Sequence, residues 1–305
     1  MVLEEGYGFS FAFAKDSHWA SADIGILHVW NGYSLVESYD VPGFAKGNLF
    51  FGDDGVYAGL FFISTITKEK KYLSEITVQL AAGTKAHYSQ YRVDEVFHSA
   101  ENGLMLVAVS YQPPKGLRTS GSFSDVTNRL LLFRRSDQML LKTVAENADH
   151  VPYSHLFLKD GCIVFSVDGY HTRIASAEGN GMPSGMPGFT AFALCGPSIL
   201  IGAGVQRILS YDVVTSKLLW QSPESVDLVN AIATINDVGF LAAVNDQYLQ
   251  LWKMDGGGFL LQSSIDLKDT IEGIAVGPSG KCYVALAGEE NYIEILDREQ
   301  LAVGS

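Results

Sequence analysis

Seven apolar strand ends recur along this chain at nearly one spacing. The last residues of ILHVW, ISTI, LLLF, HTRI, ILSY, LQLW and IEIL are Trp30, Ile66, Phe133, Ile174, Tyr211, Trp252 and Leu296, separated by 36, 67, 41, 37, 41 and 44 residues. All intervals but one fall near the period of a repeated four-stranded sheet, roughly 40–45 residues. A second marker keeps the same phase. Polar or glycine turns at Asp16, Asp54, Asn102, Asp160, Gly196, Asp237 and Ser279 precede these anchors by 14, 12, 31, 14, 15, 15 and 17 residues. The stretch YLQLWKMDGGGFLLQSSI, Tyr248 to Ile265, shows one copy of the anchor hairpin: apolar strand, glycine-bearing turn, apolar strand. Each unit therefore reads strand, turn, strand, link, strand, turn, strand, and helical periodicity is scarce.

The strands are of the buried kind. GFLAAVN, GLMLVAVSY, CIVFSV and CYVALAG are short, nearly continuous apolar runs bounded by Asp, Asn and Gly. A strand covered on both faces loses strict polar alternation, and blades stacked face to face around an axis give that environment. The chain is expected to be all-β, a single seven-bladed β-propeller of four-stranded antiparallel blades over residues 1–305. Approximate blades are 7–42, 43–80, 92–145, 150–187, 188–223, 226–267, and 269–305 completed by 1–6. The seventh unit lacks an outer strand, and Val2–Glu5 precedes an already full first unit. The N-terminal segment is expected to pair with the C-terminal one, which removes an exposed sheet edge.

Bulk properties exclude several classes. With 21 basic and 34 acidic residues, net charge −13, the chain has no electrostatic footprint for nucleic acid or an anionic membrane surface. No apolar run is long enough to span a bilayer. The start, MVLEEGYGFSFAF, carries two glutamates where a secretory leader needs positive charge. Cys162, Cys195 and Cys282 form neither a CxxC pair nor a disulfide framework. These features point to a cytoplasmic protein.

The C-terminal third resembles WD-repeat and quinoprotein-like seven-bladed propellers. Its clearest copy is VDLVNAIATINDVGFLAAVNDQYLQLWKMDGG, and Trp30 and Trp252 stand where the WD-repeat strand-end Trp stands. The four Trp are followed by Ala20, Asn31, Gln221 and Lys253, so no Trp-Asp dipeptide occurs, and no Gly-His dipeptide occurs either. The resemblance implies the architecture. It does not carry over the His–Asp hydrogen-bond network of the WD repeat.

Two insertions break the rhythm. AAGTKAHYSQYR (Ala81–Arg92) is a long inter-blade link, and QPPKGLRTSGSFSDVT (Gln112–Thr127) lengthens the link between the second and third strands of blade three. The propeller resemblance places both kinds of link on one rim. Long loops in compact domains are usually functional or disordered. Lys85, His87, Tyr88, Tyr91, Arg92, Lys115 and Arg118 are thus candidate partner-binding residues, since Tyr and Arg serve as interface anchors. SVDGYHTR supplies candidate channel-mouth residues Asp168, Tyr170, His171 and Arg173. AEGNGMPSGMPG (Ala177–Gly188) is too rich in Gly and Pro for a regular outer strand. It reads as an irregular connection, with the alternative of a mobile loop whose Met182 and Met186 offer adaptable apolar contacts.

No nucleophile elbow, phosphate loop, zincin or EF-hand motif is present. His150 and His155 are five apart, an odd offset that puts them on opposite faces of a strand. No catalytic residue, cofactor or metal site is assigned. The sequence reads as a non-enzymatic protein-interaction propeller, an adaptor, scaffold or stoichiometric binder of another protein. The alternative is a propeller enzyme of lactonase, lyase or hydrolase type with a small-molecule site at the channel mouth.

Overall fold

The computed structural model describes residues 1–4, 7–14, 18–42, 46–47, 49–82, 90–99, 102–112, 127–148, 154–158, 161–166, 171–175, 182–204, 206–223, 226–235 and 238–302. Strand β1 (Val2–Leu3) comes first. Blade one is β2 (Ser10–Phe13), β3 (His18–Asp23), β4 (Ile26–Asn31) and β5 (Ser34–Asp40). After β6 (Lys46–Gly47), blade two holds β7 (Leu49–Phe51), β8 (Gly55–Ala58), β9 (Phe61–Ser64) and β10 (Lys70–Tyr72). Helix α1 (Ser74–Ala82) leads to blade three: β11 (Gln90–His98), β12 (Leu104–Gln112), β13 (Thr127–Arg134) and β14 (Met139–Ala148). Blade four is β15 (Ser154–Phe157), β16 (Ile163–Ser166), β17 (His171–Ala175) and β18 (Met182–Pro187). Blade five is β19 (Ala191–Cys195), β20 (Ile199–Gly204), β21 (Arg207–Asp212) and β22 (Lys217–Gln221). Blade six is β23 (Val229–Ile235), β24 (Gly239–Val244), β25 (Tyr248–Asp255) and β26 (Gly258–Asp266). Blade seven is β27 (Thr270–Val276), β28 (Cys282–Ala287) and β29 (Asn291–Leu296), followed by helix α2 (Arg298–Ala302).

These form seven antiparallel sheets in a ring, so the molecule is a seven-bladed propeller. The expected closure is present: β1 is the outer strand of blade seven, with Val2 opposite Glu294 and Leu3 opposite Ile293. Met1 extends it, exchanging backbone hydrogen bonds with Ile295 at 2.9 and 2.7 Å. One blade departs from four strands. β6 pairs in parallel with β11, adding a short fifth strand on the inner side of blade three.

The repeat register is sharper than the sequence markers. Trp30, Phe133, Ile174, Tyr211 and Trp252 each pair with the second residue of their blade's second strand: Trp19, Met105, Val164, Leu200 and Phe240. In blade two that place belongs to Ile63, opposite Val56, and in blade seven to Ile295, opposite Tyr283. Ile66 is therefore not an anchor. It lies in the turn after β9 and is 73% exposed. Leu296 is one residue past the equivalent position. Apolar content alone could not distinguish the last strand residue from an apolar turn residue.

The described core falls into seven hydrophobic clusters, one per seam between neighbouring blades. Trp19 and Trp30 stack 4.7 Å apart on blade one and face Tyr283 of blade seven. Trp252 stacks on Phe240 and meets Trp220 edge-on between blades five and six. At the seam of blades two and three, His98 is buried, with Nε2 donating to the Gly59 carbonyl at 2.9 Å. Burial pushes its pKa down to about 3, so the imidazole is neutral.

Residues Met182–Pro187 correct a second expectation, since they form a strand. β18 pairs with β17 through one register shift, as the outermost strand of blade four. An edge strand needs no outward N–H donor, so Pro183 and Pro187 are tolerated. Met186 is core, 1% exposed in the seam with Phe189 and Val164, not a surface contact.

Candidate functional site

In an antiparallel blade the second-to-third-strand link and the link to the next blade emerge at one end, here the upper rim. The first-to-second and third-to-fourth turns emerge at the lower rim. Counted upward from the anchor pair, the ladder of second and third strands runs four more rungs in blades one, five, six and seven. It runs only two in blade two, ending at Ala58–Phe61, and in blade four the described residues carry it to Ser166–Thr172. In blade three it runs six, to Tyr111–Thr127. Blade three thus stands four rungs above blade two, about 13 Å at the strand rise of ~3.3 Å per residue.

A sheet that overtops its neighbour exposes a face that must be covered. Helix α1 covers the face toward blade two. Ile76 and Leu80 are fully buried in one cluster with Val107, Val109 and Tyr111. The helix is tied to blade three at both ends. Gln138 Oε1 accepts from the Glu75 N–H at 3.1 Å, filling one of the free first-turn donors. Gln79 donates to the Gln138 carbonyl at 2.7 Å and accepts from the Leu140 N–H at 2.8 Å. Tyr91 and Tyr111 donate their hydroxyls to the carbonyls of Thr77 and Leu80 at 3.3 and 3.4 Å. This helix lies in the span read from sequence as the end of blade two and an inter-blade link.

The opposite face, toward blade four, is polar at its top. Asp94 is almost buried and holds Arg92, whose Nε donates to Asp94 Oδ1 at 2.6 Å while the guanidinium side chain stays 70% exposed. Ser110 donates its hydroxyl to Asp94, and the same oxygen lies 2.8 Å from Asn128 Oδ1. On the helix-covered face, Arg129 stacks 5.1 Å from the Tyr111 ring centre and pairs with Glu146 at 3.3 Å. Tyr91 and Arg92 are thus strand residues of β11: the first is a half-buried strut under α1, the second a carboxylate-oriented cation on the tall blade.

Of the other sequence candidates, His171 and Arg173 open β17 on the same rim, both exposed and on one face of the strand, with buried Thr172 between them bonded to the Pro187 carbonyl at 2.7 Å. Lys85, His87, Tyr88, Lys115, Arg118, Asp168 and Tyr170 lie outside the described residues. So do residues 149–153, which include His150. Among the described residues, no three His, Cys, Asp or Glu side chains converge as a metal site, and no helix is long and apolar enough to cross a membrane.

Sequence reasoning missed a groove of about 740 Å³ on the lower rim. Phe13, His18 and Trp30 of blade one face Phe51, Asp53 and Lys68 of blade two, with Pro278 of blade seven at one end. Its lining is drawn from strand ends and turns of three blades, so no single run of sequence marks it.

Comparison with known proteins agrees with this geometry. No sequence profile of a known family matches the chain, and no curated protein matches it either. Solved structures do. The chain is similar to U3-55K, with TM-score 0.68, 11% identity, and 97% of each chain covered. It is similar to the WD40 β-propeller domain of Doa1, with TM-score 0.66, 11% identity, and 99% of this chain and 97% of that one covered. A chain of the mitotic checkpoint complex matches with TM-score 0.56 and 13% identity, over 97% of this chain and 89% of that one. Fold and comparisons together define the class: a seven-bladed β-propeller with the architecture of WD40 propeller domains.

Proposed function

We propose that this propeller is a protein-binding module, an adaptor, scaffold or stoichiometric binder, that engages another protein with the upper rim over blades two to four. The tall third blade carries the reading. A blade raised about 13 Å above blade two and braced by a helix is a rigid ridge, and rigid ridges bind with little ordering cost. The partner surface is acidic. Arg92 on blade three, and Lys85, Lys115 and Arg118 in the two long links of the sequence, are basic in a chain with net charge −13, and such complementarity steers encounter. Propellers also occur in assemblies, as the mitotic checkpoint complex shows for its own chain, although fold alone does not fix function. Cys162, Cys195 and Cys282 are in no disulfide among the described residues, which suits the reducing cytoplasm, where we place it.

A second reading, a small-molecule site of the lactonase, lyase or hydrolase type, is favoured by the 740 Å³ groove, which is large enough for a ligand. The two separate experimentally. A variant lacking Pro113–Ser124 should melt with the parent, yet bind a partner captured from the native source at least about tenfold more weakly, about 1.4 kcal/mol. Arg92→Glu should act in the same direction. Full-strength binding by both folded variants would move the interface elsewhere and raise the small-molecule reading.

A further inference from the structure

The lower end of blade six has a gap in the face that looks toward blade seven. Ile235, Gly239 and Lys253 stand side by side on one rung of β23, β24 and β25. The middle position tolerates only glycine, because a Cβ on Gly239 would meet the Trp252 carbonyl oxygen at 2.2 Å. No side chain of the sheet can therefore fill the space between Ile235 and Lys253. Leu251, two residues before Lys253 on β25, lies on the same face and is buried in the core between blades six and seven. Helix α2 closes the gap from the other side. Its Leu301 is buried in the same cluster, and the Leu301 carbonyl accepts a hydrogen bond from the Ser263 hydroxyl of β26.

What remains is a pocket of about 280 Å³ between blade six and α2, on a different seam from the groove of blades one and two. Ile235, Leu251 and Leu301 form its apolar interior, and the exposed Val238 and Lys253 stand at its mouth. Of the residues that line it, only Lys253 is charged. Among the described residues the Lys253 ammonium pairs with no carboxylate.

The two parts of the pocket specify two parts of a ligand. Buried Leu and Ile side chains gain from covering an alkyl chain. A lysine beside apolar surface lays its stem along that surface and keeps its ammonium in water, where it meets an anion at the end of such a chain. Size narrows the choice. Pockets for drug-sized molecules run from ~300 to 1,000 Å³, so 280 Å³ suits one short chain and not a peptide. The chain as a whole, at −13, repels anions. Preference for an anion at this pocket must therefore come from Lys253.

We propose that the pocket between blade six and α2 binds a medium-chain monocarboxylate, its alkyl chain against Leu251 and Leu301 and its carboxylate at Lys253. The probe is octanoate, titrated into the full chain with Ile, Leu and Val methyl groups labelled for NMR. The methyl signals of Ile235, Val238, Leu251 and Leu301 should move together, with a dissociation constant of about 1 mM or tighter for a ligand of ~10 non-hydrogen atoms. Octylamine carries the same chain with the opposite charge and should bind at least about tenfold more weakly. Lys253→Glu, a change at an exposed side chain, should weaken octanoate binding at least about tenfold. Lys217→Glu, the same change of net charge on blade five, should leave it unaltered. The octylamine comparison needs no variant, so it stands even if Lys253→Glu folds poorly. No movement of these four residues up to about 10 mM octanoate, equal binding of octanoate and octylamine, or affinity indifferent to Lys253→Glu overturns the proposal.

Discussion

Ile63 and Ile66 lie three residues apart in the stretch FFISTI, and the repeat register gives them opposite fates. Ile63 is the blade-two anchor, 1% exposed and packed in the seam with Val56 and Leu49. Ile66 is a turn residue at 73% exposure. Ile63→Ala removes three buried carbons at about 0.8 kcal/mol each and leaves a cavity, together about 3 kcal/mol. Ile66→Ala removes atoms already in water and should cost less than about 0.5 kcal/mol. Unfolding entropy near 2.1 cal/mol/K per residue gives this chain about 0.6 kcal/mol/K. The expected fall in Tm is thus about 5 °C for Ile63→Ala and under about 1 °C for Ile66→Ala. Differential scanning calorimetry resolves the two. Equal shifts, or the larger shift at Ile66, would mean that blade two is threaded three residues out of register and would refute the common anchor position.

Two further perturbations test the seams. Trp252→Ala should destabilise by about 3–5 kcal/mol, because the indole is 4% exposed and meets both Phe240 and Trp220; an unchanged melting temperature would place the side chain outside the core. His98 makes stability depend on pH. Its folded pKa of about 3 lies below the ordinary 6.5, so the unfolded chain takes up a proton that the folded chain refuses. Stability is whole above pH 6.5 and falls as pH drops, by about 2 kcal/mol at pH 5 from this group. Urea midpoints of His98→Gln should decline less steeply than the parent's over that interval, and parallel curves would show that His98 is charged in the fold.

Features that repeat were legible in the sequence; features that depend on a neighbour's height were not. Asp54, Asn102, Gly196 and Ser279 all fall between first and second strands, as the turn rhythm required. Asp16, Asp160 and Asp237 lie outside the described residues. Trp30 and Trp252 mark third strands because a blade seam wants a large flat side chain there. Closure by the N-terminal segment followed from counting strands. Helix α1 escaped because its reason is not local. SEITVQLAA has little helical signature of its own, and it is needed only because blade two is four rungs shorter than blade three. β18 escaped because Gly and Pro argue against strands in general, whereas an outermost strand makes weaker demands. The long links drew attention to blade three, but nothing in QYRVD shows that Arg92 is held by Asp94 on a sheet taller than blade two.

Closure of the ring also sets a schedule. Met1 and Ile295 bond across 294 residues, so the first strand made is the last to find its place. At about 5–20 residues per second, synthesis leaves it waiting some 15–60 s. During that time β27–β29 do not exist, and the ring gapes at blade one. Trp19, Trp30 and Phe11 then have no Tyr283 or Ile293 to lie against. The most aromatic seam among the described residues is thus the one exposed longest during its birth. A nascent chain of this protein should depend on whatever shelters that wall until blade seven arrives.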